Sequence, residues 1–144
     1  MKRSSLIIFS LLLILIACHR QENPGEEKNR PETAGPSAGS VLTTNDLNLD
    51  FSKYKVTFIE LGANACIPCR QMQPIMREIA AEYPGQVLVV FYDVWKNPAP
   101  AEYYKIQLIP TQVFIDEHGS ELFRHVGFFP KEEIVKLLKG HGVK

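Results

Sequence analysis

Three stretches of the sequence predict an α/β fold, a mixed central β-sheet with helices on both faces. Val56-Thr57-Phe58-Ile59, continuing to Leu61, is an apolar and β-branched run bounded by polar residues, which reads as a buried strand. Met72, Ile75, Met76, Ile79, Ala80 and Tyr83 then recur at spacings of three and one, giving a helix one apolar face. Val87–Tyr92 is continuously apolar, as expected for a strand covered on both sides. Strand, helix and strand in that order imply a right-handed parallel crossover.

The elements follow in chain order. Val41 to Tyr54 is a lead-in that covers one sheet edge, with Leu42, Leu47, Leu49 and Phe51 partly buried and Thr44 or Asn45 able to cap a short helix. Val56–Leu61 is the central strand, broken by Gly62, Ala63 and Asn64. A helix runs from about Cys66 to Tyr83; Pro68 is tolerated in its first turn, Pro74 should kink it, and Pro84-Gly85 ends it. After the strand Val87–Tyr92, Asn97-Pro98-Ala99-Pro100 opens a short helix through about Lys105. Gln112–Asp116 and Glu121–Val126 flank Glu117-His118-Gly119-Ser120, a hairpin signal. The last helix opens at Phe129-Pro130-Lys131-Glu132-Glu133, buries Ile134, Val135, Leu137 and Leu138, and stops at Gly140.

Within this frame the chemistry converges on Cys66-Ile67-Pro68-Cys69. The two cysteines stand one turn apart at a helix N-terminus, where unpaired N–H groups and the positive end of the helix dipole favour a thiolate. Cys66 should therefore be nucleophilic near neutral pH, with Cys69 close enough to attack a mixed disulfide formed on it. A purely structural bridge closing so small a loop would add little stability. Closed zinc sites usually need four ligands, and no second Cys-x-x-Cys or His-x-x-x-His pair is present. His118, His125 and His141 fall at a turn, a strand and the C-terminal end, and read as solvated. Trp95, Tyr92 and Phe128-Phe129 either line a groove beside the cysteines or sit in the core, and as aromatics beside strands they read as core.

These residues resemble the thioredoxin-like thiol–disulfide oxidoreductases over roughly Phe51 to Gly140. The markers are the strand–Cys66-Ile67-Pro68-Cys69–helix unit, Pro74 five residues past the second cysteine, Ile109-Pro110-Thr111 before a strand, and Val126-Gly127 before the last helix. The resemblance implies the thioredoxin-like fold, a redox disulfide between Cys66 and Cys69, and a Pro110 that is cis and faces the pair. It makes Ile109 a residue whose backbone pairs with a substrate peptide. It also sets Glu60 where the family has a buried acid, usually Asp, that relays a proton to and from the second cysteine. Burial should raise the pKa of such an acid into a useful range. Ala65 departs from the pattern: the family usually has Trp before the first cysteine, so Cys66 is less shielded here.

The chain of 144 residues is 45% apolar and 22% charged, enough for one packed domain and too short for two. Its formal net charge is zero, which offers no basic stripe for nucleic acid. Lys2-Arg3 followed by Leu6–Ile16 is a positive region and an apolar run shorter than the ~20 residues of a membrane span, so residues 1–17 read as a secretory signal. Leu15-Ile16-Ala17-Cys18 resembles the bacterial lipoprotein box, which makes Cys18 a lipid anchor. His19 to Ser40, rich in Pro, Gly and charge, cannot order itself and is a tether, so residues 18–40 link the membrane to a domain at 41–144. Export places the cysteine pair in an oxidising compartment. The expected protein is a monomeric, membrane-anchored lipoprotein facing the periplasm or cell exterior, a reductase of protein disulfides that needs no metal or organic cofactor. A membrane thiol protein would supply its electrons. Similar tethered proteins serve cytochrome c maturation. Two alternatives stay open: an oxidase donating its disulfide to secreted proteins, and a copper-binding module using the same cysteines with a histidine.

Overall fold

The computed structural model describes residues 39–144. The signal segment, Cys18 and all but the last two residues of the tether lie outside the described residues. The described residues form five strands, β1 (Val41–Thr43), β2 (Val56–Gly62), β3 (Val87–Asp93), β4 (Thr111–Asp116) and β5 (Glu121–Val126), in the order β1-β3-β2-β4-β5. Three α-helices accompany them: α1 (Ile67–Glu82), α2 (Ala99–Tyr103) and α3 (Lys131–Gly140).

β2 is central because its apolar run satisfies both neighbours. It pairs in parallel with β3, from Val56↔Val87 to Gly62↔Asp93, and antiparallel with β4, from Val56↔Asp116 to Leu61↔Thr111. Every residue of β2 and β3 is buried, which accounts for their mostly apolar character, with Thr57 and Glu60 of β2 and Asp93 at the end of β3 as the polar exceptions. Side chains alternate between faces. Val56, Phe58, Val89, Phe91 and Phe114 pack with Met72, Met76 and Ile79 of α1 and Ile134 and Leu138 of α3. Ile59, Leu61, Val90, Tyr92 and Val113 form the opposite core with Tyr104 after α2 and with Leu47, Leu49, Phe51 and Tyr54 of the lead-in.

Several local expectations need correction. The lead-in does more than guard an edge: Val41–Thr43 adds a strand beside β3, and the residues after it cover a sheet face, anchored by the Tyr92 hydroxyl donating to the Asp46 carbonyl at 2.6 Å. Its short helix is a 3₁₀ turn, Phe51–Lys53, capped by Asp50 rather than by Thr44 or Asn45. Gly140 is the last residue of α3, where the sequence places the stop, and a positive φ follows at Gly142. Within α3 only Ile134 and Leu138 are fully buried; Val135 and Leu137 pack partly against the core. Trp95 and Phe128 are exposed instead of core, because the chain turns outward just beyond the ends of β3 and β5. His125 is not simply solvated; its ring stacks on Phe129 with centroids 4.3 Å apart.

Candidate functional site

The end of β2 brings the chain to the cysteines at close quarters. A Cβ added at Gly62 would meet Cys69 Cβ and Sγ at 3.2 Å and the Phe91 ring at 3.3 Å, so a side chain here would crowd the close approach of α1 to the strand. The turn that follows is pinned by the Cys66 N–H donating to the Ala63 carbonyl (3.1 Å) and by Asn64 Nδ2 donating to Asp93 Oδ2 (2.9 Å). Cys66 then stands at the N-cap of α1. Its sulfur accepts the Cys69 N–H at 3.3 Å, the contact a helix N-terminus offers to an anion. Cys66 and Cys69 are joined in a disulfide with their Cα atoms 5.3 Å apart. Cys66 keeps 9% of its surface exposed and Cys69 none, so a substrate can reach only the first sulfur. Ala65 beside it is exposed, with no aromatic shield at that position.

The Ile109–Pro110 peptide bond is cis. Its loop is held by the Thr111 hydroxyl donating to the Leu108 carbonyl (2.6 Å) and by the Gly127 N–H donating to the Pro110 carbonyl (2.8 Å). Ile109 packs against Ala63, Cys66 and Cys69, so the cis-proline loop borders the disulfide.

Glu60 lies two residues before Gly62 on the strand face that α1 covers, and it is fully buried. Gln112, directly opposite on β4, donates from Nε2 to Glu60 Oε2 at 2.9 Å. Burial pushes the Glu60 carboxyl up to about 8, against a smaller lowering by the Gln112 hydrogen bond. Among the described residues, Glu60 Oε1 and Gln112 Oε1 have no hydrogen-bond partner. No group of three or more His, Cys, Asp or Glu side chains that could hold a metal ion occurs among the described residues.

Sequence reasoning missed Gln112, Asn64 and Asp93. For Gln112 a signal existed: it is a polar residue two positions before Phe114, on the same inward-facing parity of an otherwise apolar strand. Asn64 and Asp93 carry no such signal, since each stands at a strand end where polar residues are ordinary. Topology supplies one more feature. Ile67, Trp95, Leu108 and Phe128, between 45% and 65% exposed, all emerge at the end of the sheet where Cys66 lies.

Comparison with known proteins agrees with this geometry. The thioredoxin family model matches residues 40–140. Thioredoxins of Staphylococcus aureus strains Mu50 and MW2 are each 34% identical over 104 residues, spanning 71% of this chain and 98% of the relative. The fold is shared with a mutant thioredoxin from Halobacterium salinarum NRC-1 (TM-score 0.66, 23% identity, 76% of this chain and 96% of that one). It is shared too with the short form of spinach chloroplast thioredoxin f (TM-score 0.63, 20% identity, 74% and 97%). With its Cys66–Cys69 pair, the chain belongs to the thioredoxin family and is a thiol–disulfide oxidoreductase.

Proposed function

We propose that the protein is an exported, membrane-tethered reductase of protein disulfides. The observation that carries the chemistry is the unequal exposure of two sulfurs at one helix N-terminus. In the reduced state the Cys66 thiolate, facing the first N–H groups of α1, attacks one sulfur of a substrate disulfide. A mixed disulfide forms and the first substrate thiolate leaves. Cys69, buried beside Gly62, passes its proton to Glu60 and attacks Cys66 Sγ. The Cys66–Cys69 bond forms, the second substrate thiolate departs, and two electrons have moved to the substrate. A carboxyl at about 8 is matched to an ordinary thiol near 8.5, so proton exchange between the two is close to balanced.

Ile109 and Pro110 border the disulfide and offer backbone to an extended peptide. The exposed apolar side chains Ile67, Trp95, Leu108 and Phe128 suit the apolar segments of an incompletely folded substrate. The Leu15-Ile16-Ala17-Cys18 box supports a lipid anchor at Cys18 and a domain facing the periplasm or cell exterior. There the oxidised form is recharged by a membrane thiol donor, and cytochrome c maturation is one process that consumes such reducing power. Direction is tested by the reduction potential of the pair: a value near the about −270 mV of thioredoxin supports a reductase, whereas one near the about −120 mV of strong oxidants reverses the reading. Location is tested by Cys18→Ala, expected to shift the protein from membranes to the soluble fraction with unchanged activity of the purified domain. Unaltered fractionation defeats the anchor.

A further inference from the structure

The rung of the β2–β4 ladder at Glu60 holds two polar side chains that fold stability does not call for. One rung away on the same face, Phe58 stands opposite Phe114 and their rings stack 4.8 Å apart. A glutamine at position 112 forgoes that packing, and a buried amide is costly unless hydrogen-bonded. Its two N–H groups are both used. One goes to Glu60 Oε2 at 2.9 Å, and Nε2 also lies 3.1 Å from the Gly127 carbonyl. Both partners are acceptors, which fixes the amide nitrogen toward them. The Gly127 N–H in turn donates to the Pro110 carbonyl. A chain of hydrogen bonds therefore joins the buried carboxyl to the loop that borders the disulfide.

We propose that Gln112 is a positioning residue for the redox reaction: its amide holds the Glu60 carboxylate while gripping the backbone beside Pro110, so the acid and the substrate-facing loop are held as one unit. The assignment rests on the reading of Glu60 as the acid that exchanges the Cys69 proton. Ionised Glu60 gains a charge-assisted hydrogen bond from Gln112, whereas protonated Glu60 gains a weaker one. Removing the amide thus leaves the charged form without its donor and raises the pH at which Glu60 can accept a proton. The other titratable groups on this face are few. Cys69 comes from α1, Asp93 from β3, where it accepts from Asn64, and His125 from β5, paired in register with Gln112 and bonded through Nε2 to the Phe128 carbonyl at 3.1 Å. The buried residues of α3, Ile134 and Leu138, add none.

The test uses the full chain and a disulfide-bonded peptide, following attack by Cys66 and resolution by Cys69 separately across a pH series. Gln112→Met, similar in length but without a donor, should move the inflection of the resolving step to higher pH. It should slow that step at pH 7 roughly tenfold, as for a lost hydrogen bond to a charged group. In a Glu60→Gln background the same change should have no further effect on the profile. A purely structural glutamine would lower stability without moving the inflection, and that result overturns the proposal. If Glu60→Gln itself leaves resolution untouched, the acid reading fails first; if Glu60→Gln removes the inflection and Gln112→Met leaves it in place, only the role of Gln112 fails. Should Gln112→Met not fold, the unmodified protein decides. The side-chain amide resonances of Gln112 must shift with the same midpoint as the Glu60 carboxyl carbon, and resonances that ignore that titration rule the coupling out.

Discussion

Two rungs that are neighbours on one face of the β2–β4 ladder do opposite work. Phe58 and Phe114 face each other across β2 and β4 with their rings stacked, sealed by Met76 and Ile134. Two residues further along each strand, Glu60 and Gln112 occupy equivalent places on the same face, equally buried, with two oxygens left unpartnered. Strand geometry is the same for both. The difference is what lies next: the aromatic rung faces the middle of α1, while the polar rung lies beside Gly62, where the first turn of α1 brings Cys69 down onto the sheet. A fold can give up packing at the end of a strand where chemistry is done, provided the rung beneath it is packed well enough to carry the cost.

The largest effect should fall on the chemistry and spare the aromatic rung. Cys66→Ser is expected to abolish disulfide reduction, and Cys69→Ser to leave a protein that accumulates mixed disulfides with its substrate, both with unaltered secondary structure. Gel analysis without reductant checks this. Accumulation on Cys66→Ser instead would exchange the roles given to the two sulfurs.

The aromatic rung should show the converse. Phe114→Ala removes a ring that contacts Phe58, Phe123 and Phe129, and deletions of buried aromatics of this kind cost about 3–5 kcal/mol. That is a large part of the about 5–15 kcal/mol by which a domain is stable. Urea unfolding measures it, and where the variant remains folded its reduction potential should match that of the parent. A stability loss below about 1 kcal/mol would mean that the surroundings collapse into the space, and would weaken the contrast between the rungs.

How far each rung could be read beforehand differs for a physical reason. β2, β3, the Cys-x-x-Cys turn and α1 are written in local periodicity, which does not depend on what packs where. Glu60 was legible as a site residue only through the family resemblance, and Gln112 only as an unexplained polar residue in a strand, because a cross-strand partner is fixed by register and register is set by the whole sheet. Trp95 and Phe128 fail for a related reason: next to a strand an aromatic looks the same whether the chain turns inward or outward. The three-residue strand at Val41–Thr43 is too short to show any period, and it exists because the edge of β3 offers it partners. The cis bond at Pro110 is invisible to composition and came from family resemblance alone.

A third test separates the rungs by pH. The Glu60 carboxyl lies at about 8 in the folded chain, above the ordinary carboxylate value, because burial penalises its charge. A raised value means that the folded state holds the proton more tightly than the unfolded one. The stability this adds is fully present below the ordinary value of 4.5 and is lost as pH rises toward about 8. Relative to Glu60→Gln, the oxidised parent should lose stability over that window with a slope of up to about 1.4 kcal/mol per pH unit. Unfolding midpoints at several pH values give the slope directly. Parallel curves for parent and variant would show that Glu60 titrates alike folded and unfolded, removing the basis for treating the polar rung as a proton store.

The smallest expected effect comes from outside both rungs and tests whether the face is held by packing or by charge. Lys131, in the first turn of α3, bridges to α1 by donating to Glu78 Oε2 at 2.8 Å and to Glu82 Oε1. The Glu78 and then the Glu82 hydrogen bond raise the Lys131 pKa above its ordinary 10.5. A raised value places its stabilising effect fully below that pH, so it is constant across the window in which Glu60 titrates. Being open to solvent, the pair gains little over hydration and is screened by salt, with a Debye length of about 10 Å at 0.1 M. Lys131→Met should therefore lower the melting temperature slightly at low ionic strength, and the difference should shrink in 1 M salt. The aromatic rung of Phe58 and Phe114, packed with Ile134 of α3, is indifferent to ionic strength, so a Phe114→Ala deficit must persist under the same conditions. If Lys131→Met proved as damaging as Phe114→Ala and stayed so in high salt, α3 would be docked by its charged edge, and the aromatic rung could not be what supports the polar one.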